Sequence, residues 1–75
     1  MEEKKLTRRE RERIRHRKEI LEVALDLFSS KGYHNVSMHK IAKNAEFAVG
    51  TLYKFFKNKE GVYQAIIFEI ADEFH

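Results

Sequence analysis

The residues best equipped to meet a polyanion lie together in the stretch VGTLYKFFKNK at positions 49–59. Lys54 can donate to guanine O6 or N7, and Thr51 can hydrogen-bond a base edge or a phosphate. Val49 and Phe55 can touch a thymine methyl. Gly50 has no side chain, so a backbone can approach a duplex closely there, where the N–H groups of a helix start favour an anion. Tyr53 is amphipathic, and basic neighbours would hold a phosphate near its hydroxyl. Lys57 and Lys59 flank Asn58, a polar cap at a helix start, and this combination attracts phosphate.

Each residue has a plainer reading. Gly50 can be a tolerated glycine in an exposed helix, at a cost of about 1 kcal/mol, which itself argues for a purpose. Tyr53 can be a core aromatic with its hydroxyl at the rim. Phe55 can pack beside Phe56, because an aromatic at helical spacing is usually core. His39 is either a contact or an idle solvated ring. Lys40 and Lys43 read as solvated, or as loose phosphate neighbours.

Catalysis has little to build on. Asp26, Ser29 and Ser30 lie on one expected helix, whereas a Ser–His–Asp geometry converges from separate elements. His16 lies in a charged run, His34 in a loop and His75 at the end, and no pair has the spacing of a metal site. There is no cysteine and no glycine-rich phosphate loop. The expectation is a non-enzyme without a cofactor or metal.

The elements that must position these residues follow from periodicity. A first helix is expected over 8–31. Ile20, Leu21, Ala24, Leu25, Leu27 and Phe28 form one face of its second half, and Gly32 caps its end. In its first half only Ile14 is apolar. There the pairs Glu10–Arg13, Glu12–Arg15 and Glu12–His16 are spaced to support a helix. Ser37 can cap a short helix over 38–44, with Ile41 and Ala45 turned inward. A turn at 46–48 leads to a helix over 49–56 that buries Leu52 and Phe56, and Asn58 can cap a fourth helix that runs from Lys59 to near the end. Two short helices joined by about three residues make a helix-turn-helix unit, whose second helix enters the major groove.

Composition agrees with this reading. The 75 residues contain no proline and three glycines, which favours an all-α chain of one small domain. No apolar run reaches the roughly 18 residues of a membrane span, so the expected location is the cytoplasm, with no membrane partner. Charge is polarised. Residues 1–18 hold nine Lys or Arg against four Glu, a net +5. Residues 19–59 hold six basic and four acidic groups, a net +2, and residues 60–75 hold four acids and no Lys or Arg, a net −4. A polyanion would be drawn to the first two segments and repelled by the last. The Arg-rich start reads as a solvated helical extension with loose phosphate contacts, or as an arm inserted in a minor groove. The alternative function is a basic helical protein-interaction module without sequence-specific DNA binding, although that stretch lacks the large apolar residues such targets use.

The run from Ile20 to Tyr63, ILEVALDLFSSKGYHNVSMHKIAKNAEFAVGTLYKFFKNKEGVY, resembles the DNA-binding head of the tetracycline-repressor (TetR) family. The informative pieces are LF…KGY at 27–33, VSMHKIA at 36–42 and GTLYKFFKNKE at 50–60. The resemblance implies a homeodomain-like three-helix bundle with a helix-turn-helix, plus the start of a fourth helix. It divides the chain into a basic extension (1–18), a DNA-binding head (19–58) and a connector (59–75) to a ligand-binding and dimerisation domain beyond this chain. The positions matching Val49, Gly50, Thr51, Tyr53, Lys54 and Phe55 are contact positions in the family, as are those matching Ser37, His39 and Lys59. The implied partners are a palindromic double-stranded DNA operator, a second copy of the protein, and a small-molecule effector in the further domain. The implied role is a ligand-responsive bacterial repressor. Two positions depart from the family pattern. Glu46 stands in the turn where glycine is common, and Ala48 opens the third helix where Ser or Thr is common. Val62, Tyr63, Ile66, Ile67, Ile70, Ala71 and Phe74 spread over an arc of about 180° on a regular fourth helix, with Phe68 outside it. That is wider than the stripe of about 100° one small core needs, so one side is expected to lack cover within this chain.

Overall fold

The computed structural model describes residues 5–70. The first helix, α1 (Arg8–Lys31), is unbroken, and at 1.5 Å per residue it is about 36 Å long. Its start is fixed by a capping box: the Thr7 hydroxyl accepts from the Glu10 amide at 3.1 Å, and the Thr7 amide donates to Glu10 Oε1 at 2.8 Å. It ends at Gly32, whose φ of 88° suits glycine and whose amide closes onto the Phe28 carbonyl. A single 3₁₀ turn (Tyr33–Asn35) leads to Val36, which is buried.

Then come α2 (Met38–Ala45), α3 (Val49–Phe55) and α4 (Lys59–Ala65). No strand occurs among the described residues. Ser37 caps α2 by accepting from the Lys40 amide at 3.1 Å. Asn58 caps α4 by accepting from the Gly61 amide at 2.8 Å. The side chain of Ala48 supplies no cap to α3. The core joins all four helices: Ile20, Leu21, Ala24 and Leu27 of α1, Met38, Ile41 and Ala42 of α2, Leu52 of α3, Phe56, and Val62 and Ala65 of α4. This is the expected all-α bundle, with α2 and α3 as the helix-turn-helix pair.

The turn between α2 and α3 holds Glu46 in the left-handed region, at φ 64° and ψ 39°. Such a conformation costs a non-glycine residue roughly 1–3 kcal/mol. Two bonds offset it. The Glu46 amide donates to the Lys43 carbonyl at 3.2 Å, and the Phe47 amide reaches back to the Ala42 carbonyl at 2.9 Å. Together they form a Schellman closure, and the Phe47 ring packs on the core beside it.

Several expectations need correction. Leu25 is 37% exposed and lies off the buried stripe of α1. On α2, Met38 and Ala42 are buried, whereas Ala45 is only half-buried. Helix α3 ends at Phe55, and Phe56 already has extended backbone. The expected Glu–Arg and Glu–His pairs within α1 do not form: the ion pair among the described residues is Arg17–Glu69, across two elements. The fourth helix is not regular. After Ala65 it widens into a π-helical turn (Ile66–Ile70), so a constant 100° per residue does not hold there. Ile66 is buried and Ile70 half-buried, but Tyr63, Ile67 and Phe68 are exposed, Phe68 by 70%. The uncovered apolar side is therefore present over the described part. Ala71 and Phe74 lie outside the described residues, as do His75 and residues 1–4.

Candidate nucleic-acid interface

Helix α3 is anchored by its inner face and open on its outer one. Leu52 is fully buried and Phe56 nearly so, because both point into the bundle. At about 100° per residue the opposite side must carry Gly50, Tyr53 and Lys54. All three are exposed, while Val49, Thr51 and Phe55 are half-buried on the flanks. Val49 and Phe55 also pack against the core, so each divides its surface between the interior and the outer rim.

A Cβ built on Gly50 would meet nothing within 4 Å, so no packing inside the protein requires glycine there. Two opposite effects are expected of Gly50→Ala. Helix propensity should raise stability by roughly 0.5–1 kcal/mol, while an added methyl at the closest approach should weaken duplex binding. Thermal unfolding and a binding titration on the same sample decide this. Unimpaired binding by the stabilised variant would make Gly50 an ordinary surface glycine.

The start of α2 lies across the Glu46–Ala48 turn from α3. Ser37 and His39 are exposed there. The Ser37 oxygen accepts the capping bond, and its hydroxyl hydrogen remains available to donate. Lys57 is exposed beyond the end of α3. Lys59 is placed differently. Its ammonium donates to the Tyr33 carbonyl at 2.8 Å and sits 4.1 Å from the centre of the Tyr33 ring. Tyr33 in turn meets Phe28, Tyr63 and His34 with ring centres 5.1–5.5 Å apart. Lys59 thus ties the loop after α1 to the start of α4, and keeps two N–H donors for a further partner.

Three residues that the sequence reading left in a solvated run are in fact built into this region. Arg13 of α1 lies 4.5 Å from the centre of the Phe55 ring, and its Nη2 donates to the Lys54 carbonyl at 3.3 Å. Arg17 lies 5.0 Å from the centre of the Phe56 ring and pairs with Glu69. His16 meets Phe47 of the turn edge-on, with ring centres 5.1 Å apart. A signal was available, because 13 and 17 are one helical turn apart on the stripe that continues into Ile20, Leu21 and Ala24.

The arrangement is a short helix with a polar outer face, held on a compact core, with basic groups at its far end. It suits a charged groove. No three of His, Cys, Asp and Glu converge among the described residues, and none of the described helices is long and apolar enough to cross a membrane.

Comparison with known proteins points the same way. Residues 20–66 match the family described as bacterial regulatory proteins, tetR family. The chain is 38% identical over 56 residues to the fatty acid metabolism regulator protein of Bacillus subtilis, covering 75% of this chain and 29% of that protein. It is 43% identical over 53 residues to the HTH-type transcriptional regulator UidR of Escherichia coli K12, covering 71% of this chain and 27% of that protein. Among solved structures, the fatty acid degradation regulator FadR from Bacillus halodurans superposes with a TM-score of 0.74 at 32% identity. That match covers 95% of this chain and 33% of the other. The chain spans less than a third of the curated relatives it matches.

Proposed function

The chain belongs to the tetR family of bacterial regulatory proteins, which are DNA-binding transcription regulators, and from that premise we propose that it reads operator DNA through α3. The observation that carries this reading is the division of α3: Leu52 is locked in the core while Gly50, Tyr53 and Lys54 face out. Val49, Gly50, Thr51, Lys54 and Phe55 meet base edges or the groove floor, joined by His39 from α2. Ser37, Tyr53, Lys57 and Lys59 hold phosphates, which fix register without reading sequence. The regulator acts as a repressor in the cytoplasm, where its operator is.

Pairing of two heads on a palindromic operator, and release by a small-molecule effector, belong to the polypeptide beyond these 75 residues. Two observations support that extension of the reading. The relatives are more than three times the length that the chain matches. The exposed Tyr63, Ile67 and Phe68 leave one side of α4 and its π-helical continuation uncovered. The interaction-module alternative is less favoured, because Arg13 and Arg17, which it would need free, are engaged at the end of α3.

Salt titration tests the reading. Phosphate-led binding weakens steeply with salt, and each lost phosphate contact lowers the slope of log affinity against log salt by about one. Lys57→Ala should do this and weaken all duplexes alike. Tyr53→Phe should weaken all duplexes by a similar factor with the slope unchanged. Lys59→Ala would also release the loop at Tyr33, so Lys57 gives the cleaner test. Binding that is indifferent to salt would remove DNA as the partner and revive the interaction module.

A further inference from the structure

The stripe of α1 that faces the core changes character along the helix. From Ile20 onward it is apolar and buried through Ala24 and Leu27. Toward the N-terminus the same stripe carries Arg17, then Arg13, at four-residue steps. The change comes where α1 passes the end of α3. There the two guanidinium groups lie over two successive aromatic rings: Arg17 over Phe56 and Arg13 over Phe55.

Helix α3 needs such support. With seven residues it is far too short to hold its shape alone, and the carbonyls of its last turn have no partner within the helix. Phe56 is secured by burial. Phe55 is only half-buried, and Lys54 is exposed, so the core does not fix either. Arg13 reaches both. It covers the Phe55 ring and donates to the Lys54 carbonyl, placing a positive charge at the negative end of the helix.

We propose that Arg13 is a positioning residue for DNA reading, fixing the Phe55 ring and the Lys54 backbone that face the groove. The proposal rests on the DNA-reading role of α3. Its chemistry is specific to a guanidinium. A planar fork can stack on a ring and donate in its own plane at the same time, whereas the compact lysine ammonium is a point charge that cannot do both. Arg17 is the structural counterpart, tied to buried Phe56 and to Glu69.

The test is to select preferred duplexes for the wild-type chain from a random pool, then titrate wild type, Arg13→Ala and Arg13→Lys with the preferred duplex and with a scrambled one across a salt series. Both variants should lose about 5- to 30-fold affinity for the preferred duplex, with less discrimination at the base pairs nearest Lys54 and Phe55. Affinity for the scrambled duplex and the salt slope should stay at wild-type values. In a Phe55→Leu background, Arg13→Ala should cost clearly less than it does alone, because the two act through one contact. Arg13 is exposed, so its variants should remain folded, and circular dichroism checks this. If Arg13→Ala weakens both duplexes equally, lowers the slope by about one and is rescued by lysine, Arg13 is a phosphate contact and the proposal is overturned. Unchanged discrimination by both variants overturns it as well, while leaving α3 as the reader. A wild-type chain that prefers no duplex overturns both readings together.

Discussion

Leu52→Ala should destabilise the protein by about 2–5 kcal/mol and abolish duplex binding with it, the largest effect of any single substitution on α3. Leu52 is fully buried and central to a seven-residue helix. Truncating it removes the transfer energy of its side chain and leaves a cavity that surrounding side chains from three other helices fill only in part. A 75-residue chain has little reserve, since a single core of this size rarely supplies more than about 3–5 kcal/mol. Much of the variant population should therefore be unfolded at ordinary temperature. Tyr53→Ala, one residue along and exposed, should change stability by only about 0.5 kcal/mol or less. Urea unfolding of the two variants side by side checks the contrast. A loss under 1 kcal/mol at Leu52 would mean that α3 is not seated on the core as described, and the outward face assigned to it would lose its basis.

Thr51→Ala and Lys54→Ala should each leave the fold intact and alter which base pair is preferred at one or two positions. A good side-chain contact to a base edge is worth about 1–3 kcal/mol of discrimination, which is roughly 5- to 150-fold in affinity. Lys54 projects from the exposed face of α3, and Thr51 lies on its flank. Neither side chain is needed by the core, so loss of preference cannot be put down to unfolding. The effect differs in kind from that of Lys57→Ala, which should weaken every duplex alike. Selection of bound sites from random duplexes by each variant reads the change directly. If both variants return the wild-type preference at wild-type affinity, the major groove is not read by this helix.

Much of the frame was legible in the sequence, for local reasons. Gly32, Ser37 and Asn58 announce helix ends because each meets a backbone need that other residue types meet poorly. Leu52 and Phe56 could be placed inside by spacing alone. The start of α1 was also written in plain terms, since Thr7 with Glu10 three residues on is a capping-box pattern, but a charged run on both sides hid it. What spacing could not give were contacts between elements. Alternating Arg and Glu usually marks a solvated face, and the paired acids within α1 offered local partners for every arginine. The structure gives Arg13 and Arg17 distant ones, at Phe55, Phe56 and Glu69, because α1 runs past the end of α3. Glu46 is a similar case. Its side chain argues against positive φ, but the Schellman closure and the packing of Phe47 hold it there. The π-helical turn after Ala65 had no signal in a pattern read at constant period. The contact roles of Val49, Gly50, Tyr53, Lys54 and Phe55 came from helix geometry and family likeness together, and stand as proposals.

The most direct test of α3 as the DNA-reading element is a backbone amide NMR titration of the 75-residue chain with a short duplex at low salt. The expected result is that the largest shifts fall at residues 37–40 and 49–57, with small changes along the outer face of α1 and none at Ile67 and Phe68. Shifts confined to the Arg-rich start of α1 or to the exposed apolar side of the fourth helix, with residues 49–57 unmoved, would contradict it.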